Sequence, residues 1–345
     1  MLVTASIVVY KTNVFELEKV LKSTISSIVN IIYLVDNSPL NESLDSFRNF
    51  SPKICYISNP INTGFGAGHN LAIQRALEIN SDYHIVINPD IYFECGVIEK
   101  LTLFMNSYED VGLVMPKVLY PNGELQYLCK LLPTPFDLLG RRFLPCKKYI
   151  RYRNERYELR FLGYDKEMEV PSLSGCFMFI RVSVLKQIGG FDERFFMYAE
   201  DLDLCRRIGQ VSKTMYYPGV CVFHGYAKGS YKNKKLLKYH ICSIIKYFNN
   251  CIKECISYND KIYLKGYIVF LVDLFDKESM FKDVLSCIDE TFYLNGKTDR
   301  VKIIFISKNL ITWNKGEAIN LFIDSHSKSY YSFKDFVNNE FCKNK

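Results

Sequence analysis

Between Gly189 and Arg207 the chain sets Asp192, Glu193, Glu200, Asp201 and Asp203 among Phe191, Phe195, Phe196, Met197 and Tyr198. Carboxylates held against apolar side chains have movable pKa values, which is what a general base requires. From Glu200 the spacing predicts a helix start, with acids in its first turn and Arg206 and Arg207 further along, as the helix dipole favours. Asp201 then stands at the mouth of that helix. Taken alone, the pattern equally describes a charged helix end that only caps and solvates itself.

Three further groups of residues can do chemistry. Asn88-Pro89-Asp90 closes an apolar run, where Asp90 is either a turn residue or an oxygen ligand for Mg²⁺ or Mn²⁺. His224-Gly225-Tyr226-Ala227-Lys228-Gly229-Ser230 puts a histidine and a lysine among small residues, suited to a diphosphate or a metal, with a structural histidine as the plainer reading. Asn62-Thr63-Gly64-Phe65-Gly66-Ala67-Gly68-His69-Asn70 is a loop that lets backbone approach a nucleotide closely, or a purely structural turn. Its glycines are not spaced as a dinucleotide fingerprint, and they do not follow the first strand of their unit. Cys251, Cys255 and His240 lack a clear fourth ligand for zinc.

The elements that position these residues are read from periodicity. Leu2 to Tyr10, Ile31 to Val35, Ile54 to Ser58 and Tyr83 to Ile87 are strands, and Val14 to Ile28 and the stretch from the glycine loop to about Ile79 are helical. That alternation is the rhythm of a parallel sheet with crossover helices, whose ligands collect at the carboxyl ends of strands. Tyr10, Asp36, Asn62 and Asp90 fall on that rim. Val111 to Met115 adds a strand, Pro121-Asn122-Gly123 a hairpin turn before Glu124 to Leu128, and Val170 to Arg181 an apolar strand after a small-residue turn. Val220 to Phe223 is another strand, and Leu236 to Ile256 an amphipathic helix with Leu237, Ile241, Ile244, Ile245, Phe248 and Ile252 on one side, a stripe for the core or for a membrane surface.

A chain of 345 residues with 48% hydrophobic and 23% charged residues folds into a sizeable core. Its longest apolar run, Tyr267 to Phe275, is too short to span a bilayer, and the opening strand does not read as a signal peptide. Twelve scattered cysteines then read as reduced thiols of a cytosolic protein. The net charge of +7 is concentrated between Arg141 and Arg160, where basic residues alternate with Phe143, Tyr149, Tyr152 and Tyr157. Such a stretch suits an anionic membrane surface, phosphates or a solvated loop. Nucleic-acid binding is not expected, because the strand-end rim is acidic and amide-rich rather than basic.

Together these residues resemble the family-2 glycosyltransferases of the GT-A fold, and within them the bacterial rhamnosyltransferase-like members that build O-antigen and other surface polysaccharides such as capsule. The features that carry the resemblance are Tyr10, Asp36-Asn37-Ser38, Asn62 to Asn70, Asn88-Pro89-Asp90, Ser174-Gly175-Cys176-Phe177-Met178, Phe191 through Arg206, and His224 to Ser230, over residues 1 to 255. The implied fold class is α/β, a Rossmann-like, mostly parallel mixed sheet flanked by helices, with a C-terminal helical extension. Residues 1–230 form the expected catalytic domain, with a nucleotide-binding half to about residue 120 and an acceptor half beyond it. Residues 231–258 form a helix packed on or beside it, and 259–345 an extension of unassigned role.

The resemblance implies an inverting sugar transfer from a nucleoside diphosphate. Asp201 matches the catalytic base, with Glu200 beside it, and Asp36 the residue that recognises the donor's pyrimidine, next to Tyr10. Asn62, Gly64, Gly66 and Asn70 frame the nucleotide, with Asn88 and Lys228 also on the donor. Asp90 and His224 serve Mg²⁺ or Mn²⁺, Asn88 being a departure from the family's two acids. Gly175, Cys176 and Arg194 lie on the acceptor side. The expected partners are dTDP-rhamnose, or alternatively a UDP-hexose or UDP-N-acetylhexosamine, a lipid-linked saccharide acceptor, and the inner face of the bacterial cytoplasmic membrane. Glycoside hydrolysis by paired acids and a catalytically silent sugar-nucleotide binding protein are the competing classes. A hydrolase has no use for a nucleotide rim, and a silent protein no use for both Asp90 and Asp201.

Overall fold

The computed structural model describes residues 1–133, 137, 147–225, 234–258, 266–271 and 301–306, and the chain divides into two compact units, 1–133 with 148–243 and 134–147 with 244–345. In the first unit, strand β1 (Val3–Val9) is buried almost throughout, as a strand covered on both faces must be. Helix α1 (Val14–Ile25) starts where the Asn13 side chain accepts the Phe15 N–H, and it buries Leu17, Val20, Leu21 and Thr24 at helical spacing. Strands β2 (Ile31–Asp36) and β3 (Ile54–Ser58) follow.

Helix α2 (Phe65–Glu78) begins inside the glycine loop rather than after it. The glycines explain why. A Cβ on Gly68 would come within 2.8 Å of Val8 Cγ1, and one on Gly66 within 2.8 Å of Phe191 Cβ. These glycines therefore let the helix lie close to β1 and to the later acidic loop, while Gly64 alone supplies the turn, at φ +96°. Ala72 of α2 closes over Tyr33, Val35 and Val8.

The chain continues through β4 (Tyr83–Ile87), β5 (Ile91–Tyr92), α3 (Val97–Ser107), β6 (Val111–Leu119), α4 (Lys147–Tyr157), β7 (Met168–Glu169), β8 (Phe177–Arg181), α5 (Val182–Ile188), α6 (Glu200–Ile208) and β9 (Lys213–His224). The sheet runs β3-β2-β1-β4-β8-β6-β9-β5, with β7 also paired to β9. Strands β3, β2, β1 and β4 are parallel to their neighbours, β6 is parallel to β9, and β8 is antiparallel to both β4 and β6. Reversal of β8 matters for function, because its first residues, not its last, arrive at the carboxyl ends of β4 and β6. The expected nucleotide and acceptor halves thus share one sheet.

The expected strands at Val111 to Met115 and Val220 to Phe223 are both longer here. β9 runs through Pro218, tolerated because the register against β6 slips between Pro116 and Lys117 and the extra residues bulge. The Pro121-Asn122-Gly123 turn closes with Gly123 N–H on the Tyr120 carbonyl and returns the chain to pair Leu125 with Leu119. Helix α7 (Lys234–Tyr258) buries Leu237, Ile241, Ile244 and Ile245, so that part of its stripe packs inward and is not available to a membrane surface. In the second unit, β10 (Gly266–Leu271) and β11 (Val301–Ile306) pair in parallel.

Candidate active site

Asp90 lies just beyond β4, where the tight turn of Asn88 to Ile91 aims it at the end of β9. Two-residue strand β5 then pairs Ile91 with His224, and the Gly225 N–H donates to the Asp90 carbonyl, 3.1 Å. These backbone ties bring the two side chains face to face: His224 Nε2 is 3.4 Å from Asp90 Oδ1 and 3.4 Å from Asn88 Nδ2. On its other side the imidazole meets Gln126, with Nδ1 3.0 Å from Oε1. Gln126, 4% exposed, was not among the expected site residues. Only its position in the short stretch after the Asn-Gly turn hints at it, since that turn folds the chain back toward the end of β9.

Gly175 and Cys176, expected on the acceptor side, immediately precede β8. The Asn88 N–H donates to the Cys176 carbonyl at 2.9 Å, fastening the start of β8 to the end of β4. One residue earlier, the Gly175 N–H donates to Asp201 Oδ2 at 2.8 Å. Any Cβ on Gly175 would lie 2.9 Å from Asp201 Cβ, so this close approach depends on glycine. Cys176 is buried between the two acids. Burial pushes its thiol up to about 12, and the nearby charges of Asp90 and Asp201 add to the rise, partly offset by Ser174. It is an inert spacer rather than a nucleophile.

Helix α6 begins at Glu200, as its acidic first turn predicts, after Tyr198 and Ala199 in left-handed conformations. Asp201 Oδ1 also accepts the Leu202 N–H at 2.8 Å, and the residue keeps partial exposure at the helix mouth. Glu200 differs from it. It is 6% exposed, Oε2 has no hydrogen-bond partner, and burial, reinforced by Asp201, raises its carboxyl well above the ordinary range. Burial thus favours the neutral form of Glu200, whereas Asp201 is the acid that keeps partial exposure. Behind them Asp203, 1% exposed, pairs with Arg206 and Arg207, and Arg207 also donates to the carbonyls of Ile188 and Gly190.

The glycine loop is built onto this acidic stretch. The Phe65 N–H donates to the Phe196 carbonyl at 3.0 Å, and Asn70 grips Phe191 by both its N–H and its carbonyl, each at 2.8 Å. Asn62 Oδ1 accepts the Gly64 N–H at 3.0 Å. Asn37 Nδ2 donates to the Gly64 carbonyl at 3.1 Å. The Asn70 amide is thus engaged in joining two loops. Asp36 is likewise engaged, with Oδ1 accepting Ser38 N–H and Oδ2 accepting Leu44 N–H and the Tyr56 hydroxyl. At 1% exposure it braces the loop after β2, and exposed Tyr10 stands on the rim. Arg194 forks onto Asp192. Lys228, Arg141 and Arg142 lie outside the described residues.

Helix α4 carries exposed Arg151, Tyr152 and Arg156, with Tyr157 buried. No helix among the described residues is long and apolar enough to cross a membrane.

A mixed sheet whose longer strands are parallel apart from β8, acids gathered at a single rim and a glycine-led helix beside them define the GT-A class of nucleotide-sugar transferase fold. The chain belongs to glycosyl transferase family 2, whose pattern matches residues 6–189. It is 29% identical over 208 residues to the N-acetylglucosaminyl-diphospho-decaprenol L-rhamnosyltransferase of Mycobacterium tuberculosis, covering 56% of this chain and 66%, just under two thirds, of that protein. To rhamnosyltransferase WbbL of Escherichia coli K12 it is 25% identical over 204 residues, covering 56% and 72%. A crystal structure of GalNAc-T7 with UDP, GalNAc and Mn²⁺ shares the fold, with a TM-score of 0.51 and 13% identity over 84% of this chain and 56% of that one.

Proposed function

We propose that this chain is an inverting, metal-assisted glycosyltransferase that moves L-rhamnose from dTDP-rhamnose to a lipid-linked saccharide in bacterial surface polysaccharide synthesis. The observation that carries the reading is that Asp90 and Asp201 both lie near enough to buried Cys176 to act on its thiol, Asp201 bonded to the Gly175 N–H and Asp90 two residues after Asn88, whose N–H donates to the Cys176 carbonyl. Inversion at an anomeric carbon needs a base on the acceptor side and charge neutralisation on the leaving-group side. Asp201 takes the proton of the attacking hydroxyl, and its bond to Gly175 fixes the direction of its second oxygen. Burial of Glu200, which disfavours its charged form, works against a second negative charge at that site. The rhamnosyltransferase relatives support the sugar, and the name of the Mycobacterium tuberculosis one supports a lipid-linked acceptor.

The donor set fits a hard divalent cation. Asp90 Oδ1 and His224 Nε2 are 3.4 Å apart, close enough to share one ion, and both would hold Mg²⁺ or Mn²⁺. Among the described residues no group of three or more His, Cys, Asp or Glu is gathered for a metal, which suits an ion that keeps water and diphosphate oxygens as its other ligands. When bound, such an ion neutralises charge on the departing diphosphate. Asn88 and Lys228 assist on the donor side, and Arg194 flanks the acceptor. Helix α4 rests on the anionic inner face of the cytoplasmic membrane through Arg151, Tyr152 and Arg156, which leaves the rim near lipid-linked substrate.

A thermal-shift screen of dTDP-rhamnose, UDP-glucose, UDP-galactose and UDP-N-acetylglucosamine, with and without Mn²⁺, tests the donor. Ligand at 100 times its Kd stabilises the fold by about 2.7 kcal/mol. A Mn²⁺-dependent shift with dTDP-rhamnose is expected, and a shift with a UDP-sugar alone replaces rhamnose in this reading.

A further inference from the structure

Gln126 occupies a position that decides which nitrogen of His224 carries a proton. Its amide nitrogen donates to the His224 carbonyl at 2.9 Å and lies 3.4 Å from the Leu119 carbonyl. Both are backbone oxygens, which only accept. The amide therefore cannot turn over without setting its oxygen against two other oxygens, and Oε1 must face the ring. An amide oxygen also only accepts, so the ring nitrogen 3.0 Å from it, Nδ1, has to be the N–H. In a neutral imidazole the lone pair is then on Nε2, the atom facing Asp90.

We infer that Gln126 is a positioning residue that locks His224 in its Nδ1–H tautomer and so turns Nε2 into an acceptor beside Asp90. The inference deepens the proposed function, since it rests on that site being the cation-binding end of the rim. Two acceptors 3.4 Å apart, Nε2 and Asp90 Oδ1, attract a cation between them and repel each other without one. The opposite tautomer would instead donate Nε2–H to Asp90 and close the site. Outer hydrogen bonds of this kind fix ring orientation in metal-ligating histidines and are worth about 10–100-fold in metal affinity. The source of the lock is local in sequence. The turn at Pro121 to Gly123 brings Gln126 back beside Val118, whose carbonyl accepts its backbone N–H at 2.9 Å, and so under the end of β9.

The tautomer can be read directly, without metal or substrate. Two-bond ¹H–¹⁵N correlation spectra of the ¹⁵N-labelled full chain, recorded at about pH 8 where an ordinary imidazole of pKa about 6.5 is neutral, report which ring nitrogen is protonated. His224→Asn assigns the signal by its loss. The wild type is expected to show Nδ1–H. Gln126→Met, close in size but unable to accept, is expected to give a mixture or the Nε2–H form, and Gln126→Glu, whose buried carboxyl in its protonated form donates O–H to the His224 carbonyl while its other oxygen accepts from Nδ1, to restore Nδ1–H.

Calorimetric Mn²⁺ titration should follow the same order, with affinity lowered about 10–100-fold in Gln126→Met and largely recovered in Gln126→Glu. Nε2–H in the wild type overturns the inference even if neither variant folds, and so does unchanged Nδ1–H in Gln126→Met. A tautomer that changes as expected while no protein binds Mn²⁺ supports the role of Gln126 and overturns the metal reading of the site.

Discussion

Asp201 Oδ2 accepts the backbone N–H of Gly175 at 2.8 Å, and glycine is the residue that lets the two approach. The carboxylate is thereby oriented by the first residues of a strand whose reversal brings them to the catalytic rim. With its other oxygen on the Leu202 N–H, the carboxylate is held by two backbone donors, which fixes the direction of the lone pairs left for a proton.

Asp201→Asn keeps the shape and one of the two backbone bonds, to Gly175 or to Leu202, but removes the proton acceptor. Transfer should fall by about 10²- to 10⁴-fold, with donor affinity nearly unchanged. Single-turnover assays beside donor titrations separate the two quantities, and equal loss in both would assign Asp201 to donor binding.

Asp90→Ala should act on the other quantity. The stabilisation by donor and Mn²⁺ together should collapse toward that by donor alone, and chelation by EDTA should have the same effect on the wild type. A variant that retains a full Mn²⁺-dependent thermal shift would remove Asp90 from the cation site.

Gly64→Ala tests the loop rather than the chemistry. Gly64 has φ +96° and ψ −177°, a region essentially restricted to glycine, and an added Cβ would collide with the Phe196 carbonyl. Urea denaturation should show a loss of about 3 kcal/mol or more, with weakened nucleotide binding.

Acid sensitivity follows from the core. His84 bridges Thr4 and Ser6, and Ser6 also meets His69 Nδ1, so both rings sit in a buried hydroxyl chain. Burial lowers His84 to about 3 and His69 well below its usual value, the second imidazole adding to the effect on His69. Below about pH 6.5 the unfolded chain takes up protons that these rings refuse, so each costs the fold about 1.4 kcal/mol per pH unit of acidification. Glu200, raised by burial, works the other way, because the folded state holds a proton that the unfolded chain has released. The carboxyl offsets part of the loss from the two rings, so stability should fall as pH drops from 6 to 5. Urea midpoints over that range measure it, and the ring C–H resonances of His69 and His84 should not titrate there.

Much of this arrangement is legible in the amino-acid order because it is local. Strand ends announce themselves through Asp36, Asn88 and Asp90, and the helix at Glu200 through its acids and arginines. What is not legible depends on pairing across long separations. No periodicity tells that Phe177 to Arg181 runs antiparallel to both neighbours, yet that reversal delivers Gly175 and Cys176 to the rim. The glycines of the loop look like turn residues in one dimension, although Gly66 and Gly68 belong to a helix and serve its close contacts. Asn70 reads as a ligand group and is in fact engaged with a backbone 121 residues away. Gln126 has no motif at all; its partner His224 makes it visible.

That separation of 121 residues between Asn70 and Phe191 also has a cost in time. At about 5–20 residues per second of synthesis, the glycine loop leaves the ribosome roughly 6 to 24 s before the segment that grips it. During that interval Gly64, Phe65 and Asn70 lack the Phe196 and Phe191 backbone groups that they meet in the finished unit. A nascent chain arrested before Phe191 should therefore carry strands and helices but not the finished glycine loop, and the proposed donor site is complete only once the acidic stretch has been made.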